Sequence, residues 1–560
     1  MTIPSARTLL TALGACSLLA CNGDDAATDA TATTSATTGG EATSTTDATD
    51  TTTTGDATTT TASDETTTDG ATTGEPLTRV EEILQDLSVS MYACPERIWP
   101  DVEASYRASQ VLLSSVAENH VWVWNYLQGE GEPPVVVEGP LDDLPPEWTA
   151  VFNVGTLTGA PTLGISLDWS QDMNESYGKM HGEWPWPDFA TSLTFHEGFH
   201  FLSSQDDWNV GAGSRSAAYP EPWEPRYLRT ELQRALYDEA KGEGSGLAAA
   251  AYWHGRLLAE HTEEANASRP FDCTEGSAEY VSLMMSALAE LGCDADDDAL
   301  LDLAISHLDD GVFYGEGSFT PGREFYNLGV VAGLVLRRAA APGWELAVEN
   351  GEAPADQAVA GVTPETQPDD PELQAAVQAA VDKRNVKVGA EIDPLVAAMD
   401  DPEYTRIPVL YNWIAGSFGV GGFYYLADDP DTEIILTLGA SLYTPSDVNL
   451  VIDGVTVFNQ IPTACAASGG GTLTMVLPTA DLELVGDLLT STHPKADFAD
   501  LKVEATVDAD GLPWLCPVEA GGANGAPAPD PGFAIHPLRA AGDGSTRGVL
   551  RPRTRPLRAD

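Results

Sequence analysis

From Asn22 to about Thr73 the chain consists almost entirely of Thr, Ala, Asp, Gly, Ser and Glu, without one aromatic residue. Such a tract cannot bury enough apolar surface to offset the entropy of ordering it, so any fold has to lie downstream. Residues 22–75 therefore read as a tether, and about 50 residues of this composition have an r.m.s. reach on the order of 40 Å. The rest of the 560 residues, with 42% hydrophobic content across the chain, is long enough for a sizeable core. Charge removes one class of function. Against 86 Asp and Glu stand only 27 Lys and Arg, and a net charge of −59 repels nucleic-acid phosphates.

Ahead of the tether, Arg7 precedes a short apolar run from Leu9 that ends in Leu18-Leu19-Ala20-Cys21. The run is too short for a membrane span and has the layout of a signal peptide. Its end resembles the bacterial lipobox, which implies that Cys21 carries a lipid anchor and that residues 1–21 are a lipoprotein signal peptide. Cys16 fits the same pattern behind a shorter apolar run. Asn22 rather than Asp follows Cys21, so the resemblance implies export to the outer membrane or cell surface. Beyond these two cysteines lie Cys94, Cys273, Cys293, Cys465 and Cys516, with no CxxC spacing. Pairings of Cys465 with Cys516 and of Cys273 with Cys293, leaving Cys94 over, suit an exported chain.

Past the tether the pattern changes three times. One amphipathic helix over Arg79–Leu87 is followed by β-rich runs at 110–113, 120–124, 135–137, 150–154 and 163–167, separated by Gly, Pro, Asn and Asp, as for an antiparallel sheet. Residues 187–400 read helical, with segments at 228–240, 246–262, 275–292, 298–309, 324–340 and 372–383. Alternating segments return from Glu433 to about Glu519 and suggest a small β-sandwich-like accessory domain. The last forty residues, rich in Gly, Pro and Ala with a basic end, read as a tail. The whole is an α+β chain, divided at 76–420, 421–520 and 521–560.

Chemistry concentrates in Thr194-Phe195-His196-Glu197-Gly198-Phe199-His200-Phe201, an HExxH motif. On a helix, positions i and i+4 share a face, so His196 and His200 offer two imidazoles to one metal while Glu197 lies beside them as a general base. Zinc suits imidazole, takes about four ligands and acidifies a water for attack on a carbonyl. With nine His in 560 residues, about 0.02 such matches arise by chance. The uncharged flanks suit a helix buried beside a metal cleft, with Gly198 its weakest helix former. The competing reading is a buried helix whose histidines are merely hydrogen-bonded.

A third protein ligand is needed. The segment Thr274-Glu275-Gly276-Ser277-Ala278-Glu279-Tyr280 resembles the Asn-Glu-Gly-Phe-Ala-Glu-Tyr segment of gluzincin metallopeptidases, whose Glu completes the zinc site from a second helix. The resemblance implies a zincin-like catalytic domain, a β-rich part followed by a helical part carrying HExxH, with Glu275 as the ligand, peptides or proteins as substrates and Zn2+ as the metal. Thr274 and Ser277 depart from the pattern, and the gap of 75 residues from His200 is longer than in the best-known members. Glu231 and Asp206 are the alternatives, and Glu279 either supports the site or is a surface acid. For the donor that stabilises the developing oxyanion we favour Tyr326 among Tyr280, His307, Tyr314, Arg323 and Tyr326. His254 and His261 read as structural, and Trp184-Pro185-Trp186-Pro187 as a cleft wall or a packed turn.

Overall fold

The computed structural model describes residues 77–518 apart from 127–132, 142–143, 145–147, 149–151, 182–187, 203–204, 206–207, 212, 215, 245, 309–318, 411–413, 428, 444–447, 453–455, 460–463 and 466–471. The expectations for the signal peptide, Cys21, the tether, the tail, Asp206, Tyr314 and Trp184–Pro187 lie outside the described residues.

The chain is mixed α+β. Helix α1 (Arg79–Leu87) starts on a capping box, Thr78 and Glu81 exchanging side-chain and backbone bonds, and buries Ile83, Leu84 and Leu87. A π turn over Ser88–Ala93 and a short helix α2 (Glu103–Ala108) lead into strands β1 (Gln110–Ser115), β2 (His120–Trp124), β3 (Val137–Pro140), β4 (Phe152–Leu157) and β5 (Ala160–Ser166). Their order is β3-β2-β1-β5-β4. The wholly antiparallel sheet expected from the runs is corrected here: β1 and β5 pair in parallel, Val111 opposite Leu163. The β4–β5 hairpin docks on the free edge of β1, and strand direction across such a non-local pairing is not encoded in either run.

Helix α3 (Leu167–His181) follows, then α4 (Phe189–Leu202), which carries the HExxH motif and is buried along almost its whole length. A helix rich in apolar residues and without a solvent-facing charged stripe has to be enclosed, and α4 lies between β5 and a long later helix. After strand β6 (Ala217–Tyr219) come α5 (Glu224–Lys241), α6 (Gly246–Glu260) and α7 (Thr262–Leu291). Then follow α8 (Asp297–Ser306), α9 (Pro321–Arg338), α10 (Trp344–Glu349), α11 (Pro354–Ala358) and α12 (Pro371–Met399). Helix α7 runs through Pro270 and so begins well before the expected residue 275. Proline removes a backbone donor in mid-helix. At this point the Ser214 amide donates to the Ala267 carbonyl, giving the first turns of α7 an outside partner.

The disulfide expectations divide. Cys465 pairs with Cys516, but Cys293 pairs with Cys94, and Cys273 is free and buried. Cys273 sits within α7 and Cys293 just beyond its end, so about 30 Å of rigid helix separates two residues that would have to approach within about 7 Å.

The C-terminal strands begin at Tyr404, before both the expected first strand at Glu433 and the boundary at 421. They are β7 (Tyr404–Leu410), β8 (Ile414–Leu426), β9 (Asp429–Tyr443), β10 (Asn449–Ile452), β11 (Thr456–Asn459), β12 (Thr472–Pro478), β13 (Leu482–Val485), β14 (Leu488–Ser491), β15 (Ala496–Val507) and β16 (Pro513–Pro517). The pairing closes on itself, running β9-β10-β15-β16-β7-β12-β11 and back to β9, whose two halves pair with β10 and β11. Ile407, Val409, Ile435, Leu450, Leu473, Met475 and Val503 form its core. Strand β6, from the helical part of the chain, pairs in parallel with β8. Val388, Ile392 and Leu395 of α12 pack on Tyr424 and Ile434, so this layer is joined to the helices rather than hung from them. Among the described residues no helix is long and apolar enough to cross a membrane.

Candidate metal centre

Helix α4 sets His196 and His200 one turn apart on one face, with Nε2 atoms 3.1 Å from each other. Helix α7 packs across α4 and brings Glu275 to the same point. Its Oε2 lies 3.5 Å from Nε2 of His196 and 3.2 Å from Nε2 of His200. All three side chains are buried, at 2%, 5% and 3% exposure, and they form a group able to hold a metal ion. Glu197 is fully buried on α4 beside them.

The far side of each imidazole is also engaged. Nδ1 of His196 lies 3.3 Å from Oε2 of Glu279. Residues 275 and 279 are one turn apart on α7, so Glu275 meets the inner nitrogens and Glu279 the outer one. Burial raises the Glu279 carboxyl, but the contact with His196 and the charge of Arg323 outweigh it and hold it below the ordinary carboxylate range. Nδ1 of His200 meets Oε1 of Gln205 at 2.5 Å, and Nε2 of Gln205 donates to the Thr274 carbonyl at 3.1 Å.

Tyr326, in the second turn of α9, stands with its ring centroid 5.6 Å from that of His196. The other sequence candidates separate. Glu231 is not part of the group: it faces Tyr227, Arg234, Asp369 and Asp370, where burial raises its carboxyl. Tyr280 is enclosed by Trp99 and Trp344, its hydroxyl 3.4 Å from Arg337. His307 caps the end of α8, where burial lowers its pKa against the pull of Glu290. His254 pairs with Asp356 at 2.8 Å, in keeping with a structural part.

Two features escaped the sequence. One is Gln205, whose only signal was its position five residues after His200. The other is a buried ionic network behind the site. Arg226 and Arg229 approach Oε2 of Glu324 at 3.1 and 3.2 Å, Arg229 pairs with Asp272, Arg226 with Glu264, and Arg384 with Glu221 at 2.8 Å. It ties α5 and α12 to the helices bearing Glu275 and Tyr326. The available signal was the pair Arg226 and Arg229, one turn apart on a helix that also carries Tyr227, Leu228 and Leu232, in a chain poor in basic residues.

The donors suit a metal both chemically and in spacing. Two imidazoles and a carboxylate match first-row divalent ions. In a tetrahedron with arms of about 2.0 Å the corners stand about 3.3 Å apart, against the observed 3.1, 3.2 and 3.5 Å. Compared with known protein families, curated proteins and solved structures, the chain matches none.

Proposed function

We propose that the chain is an exported, membrane-tethered zinc metallopeptidase of gluzincin type. The observation that carries this reading is the convergence of Nε2 of His196, Nε2 of His200 and Oε2 of Glu275 on one buried point. These three residues hold one zinc ion. Bound there, zinc would supply Lewis acidity toward a scissile carbonyl and lower the pKa of a water.

The chain's own groups do the rest. Glu197, next to His196 on α4, takes a proton from the attacking water and passes it to the leaving amine. Tyr326, held beside His196, donates its hydroxyl proton in a hydrogen bond to the oxygen on which negative charge develops. Glu279 and Gln205 keep the two imidazoles from rotating. The sheet packed on the HExxH helix, followed by helices that bring Glu275, supports a zincin-like domain, and the strand layer from Tyr404 onward serves as an accessory element. Cys21, at the end of the signal-like run, anchors the chain through lipid, and the Thr-rich tract spaces the enzyme from the outer membrane or cell surface.

The test is metal content by mass spectrometry on the full chain beside a His196→Ala, His200→Ala double variant. It is followed by peptide, amide and ester substrates with Glu197→Gln as control. About one zinc per parent chain, little in the double variant, and peptide hydrolysis lost in Glu197→Gln is the expected result. A parent that holds no zinc after incubation with it would sink the reading, and turnover confined to non-peptide amides or esters would replace peptidase by another zinc hydrolase.

A further inference from the structure

The two imidazoles are steadied by different means. His196 is held by Glu279, a residue of the same helix as Glu275. His200 is held by Gln205, which belongs to neither ligand helix and is 7% exposed. Unlike a carboxylate, a carboxamide has one accepting and one donating end, so its orientation carries information. The Thr274 carbonyl can only accept, and it lies 3.1 Å from Nε2 of Gln205. Turning the amide over would set oxygen against oxygen, so the NH2 group faces Thr274 and Oε1 faces His200. Oε1 in turn can only accept. Nδ1 of His200, 2.5 Å away, therefore carries a hydrogen, and in the neutral ring Nε2 then presents a lone pair.

That lone pair points at Oε2 of Glu275 and Nε2 of His196, at 3.2 and 3.1 Å. Three acceptor atoms facing one another repel unless a cation lies between them. A single proton bridges only two atoms, whereas a divalent ion satisfies all three. The same amide spans the two ligand helices, because Thr274 is the residue before Glu275 on α7 and His200 lies on α4. Thr274 itself does not form this link through its side chain: its hydroxyl donates back to the Pro270 carbonyl at 3.0 Å.

We propose that Gln205 is the positioning residue of this centre. It fixes His200 as the Nδ1–H tautomer and ties that imidazole to the peptide preceding Glu275, so that the two ligand helices keep the spacing a metal requires. The assignment rests on the reading of His196, His200 and Glu275 as a zinc site. A neutral amide also suits the local charge. Glu197, Glu275 and Glu279 already give three carboxylates around one divalent ion, and a fourth would add repulsion without adding a donor for Thr274.

The experiment compares the full-length parent with Gln205→Met, which has similar length and neither hydrogen bond, and with Gln205→Glu, which keeps the acceptor for His200 but loses the donor to Thr274. Three quantities are read: zinc affinity by competition with a fluorescent chelator, the melting curve of the metal-free chain, and the His200 tautomer from histidine 15N shifts. The His200 signal is identified by its loss in His200→Ala. Expected are an Nδ1–H tautomer in the metal-free parent and its partial loss in Gln205→Met. That variant should bind zinc 10- to 100-fold more weakly with an unchanged melting curve. In Gln205→Glu the tautomer persists and affinity lies between the other two. Zinc affinity of Gln205→Met within twofold of the parent, or an Nε2–H tautomer in the parent, overturns the assignment. Should Gln205→Met fail to fold, the tautomer and zinc affinity of Gln205→Glu carry the comparison, and an affinity equal to the parent's overturns the tie to Thr274. A parent that binds no zinc is a separate outcome: it removes the metal reading, and with it the positioning role.

Discussion

Gly276 and Gly329 pack backbone against backbone where α7 crosses α9. A Cβ on Gly276 would lie 2.6 Å from the Gly329 Cα, and one on Gly329 only 2.2 Å from the Gly276 Cα. One turn further along, a Cβ on Gly333 would meet the Tyr280 ring at 2.7 Å. Small residues at successive turns thus let two helices approach more closely than side chains allow. The crossing lies next to the chemistry, since Gly276 follows Glu275 and Gly329 stands one turn after Tyr326.

The first prediction follows from that crossing. Gly329→Ala has no flexible neighbour to displace, so the helices have to part. The expected cost is about 1–3 kcal/mol in thermal unfolding, together with weaker zinc binding because Tyr326 and Glu275 shift relative to α4. Gly255→Ala is the control. It lies on α6 with nothing near its would-be Cβ, and there alanine should be neutral or stabilise by about 0.5–1 kcal/mol. Equal effects of the two substitutions would show that the crossing is not tight.

A second prediction separates the candidates for third ligand. Glu275→Ala removes one corner of the convergent group and should reduce zinc binding by more than the roughly 10- to 100-fold that loss of an outer-shell partner costs, while Glu231→Ala, outside that group, should leave it nearly unchanged. Isothermal titration of both variants with zinc decides the matter, and loss of binding in Glu231→Ala would contradict the site.

What the sequence made legible divides by range. His196 and His200 were readable because helical spacing is local, and Glu275 because it sits in a short segment with a distinctive neighbour pattern. The start of α7 was obscured by Pro270, whose missing donor normally ends a helix; here the helix runs through it, and its first turns take an outside bond at Ala267 from Ser214, over fifty residues away. Gln205 acts through two partners on different helices, so no window of sequence contains its function. The buried network was hidden for the same reason, its members ranging from Glu221 to Arg384. Of the first C-terminal strands, β8 was missed because Gly416, Gly419, Gly421 and Gly422 interrupt the alternation that marked the later ones, and β7 because Pro408 stands within it. Cysteine pairing depended on helix length, which only the fold supplied.

The third prediction concerns those cysteines. The Cys94–Cys293 bridge closes a separation of 199 residues and stands beside Arg97, which donates to the Cys293 carbonyl at 2.7 Å and pairs with Asp297. A loop of that length implies stabilisation of about 2–5 kcal/mol. Replacing both cysteines by serine should lower the thermal midpoint by several degrees without affecting the Cys465–Cys516 bridge. Cys273 is buried and its thiol is pushed up to about 12, so iodoacetamide at pH 8 should leave it unmodified in the native chain and label it after unfolding. Peptide mapping that found native Cys273 alkylated, or bonded to Cys293, would reverse the assignment.

The last prediction concerns pH and the ionic network. Burial raises the Glu324 carboxyl from its ordinary 4.5 up to about 7, against the pull of Arg226 and Arg229 and with Glu221 adding repulsion; Arg384 acts in the same direction as the other arginines. Between these two values the folded chain retains a proton that the unfolded chain has released. Stability contributed by this group is therefore complete below about 4.5, declines as pH rises toward 7, and is lost above it, by an amount on the order of 3 kcal/mol. Glu324→Gln cannot titrate. The stability of the parent relative to that variant, from urea unfolding at a series of pH values, should fall between about pH 4.5 and 7 and level off at either end. The opposite slope, with the parent gaining on the variant as pH rises, would mean that the two arginines prevail over burial and that Glu324 is ionised throughout. In that case the network is a set of fixed charges, and the brace behind Glu275 and Tyr326 is insensitive to pH.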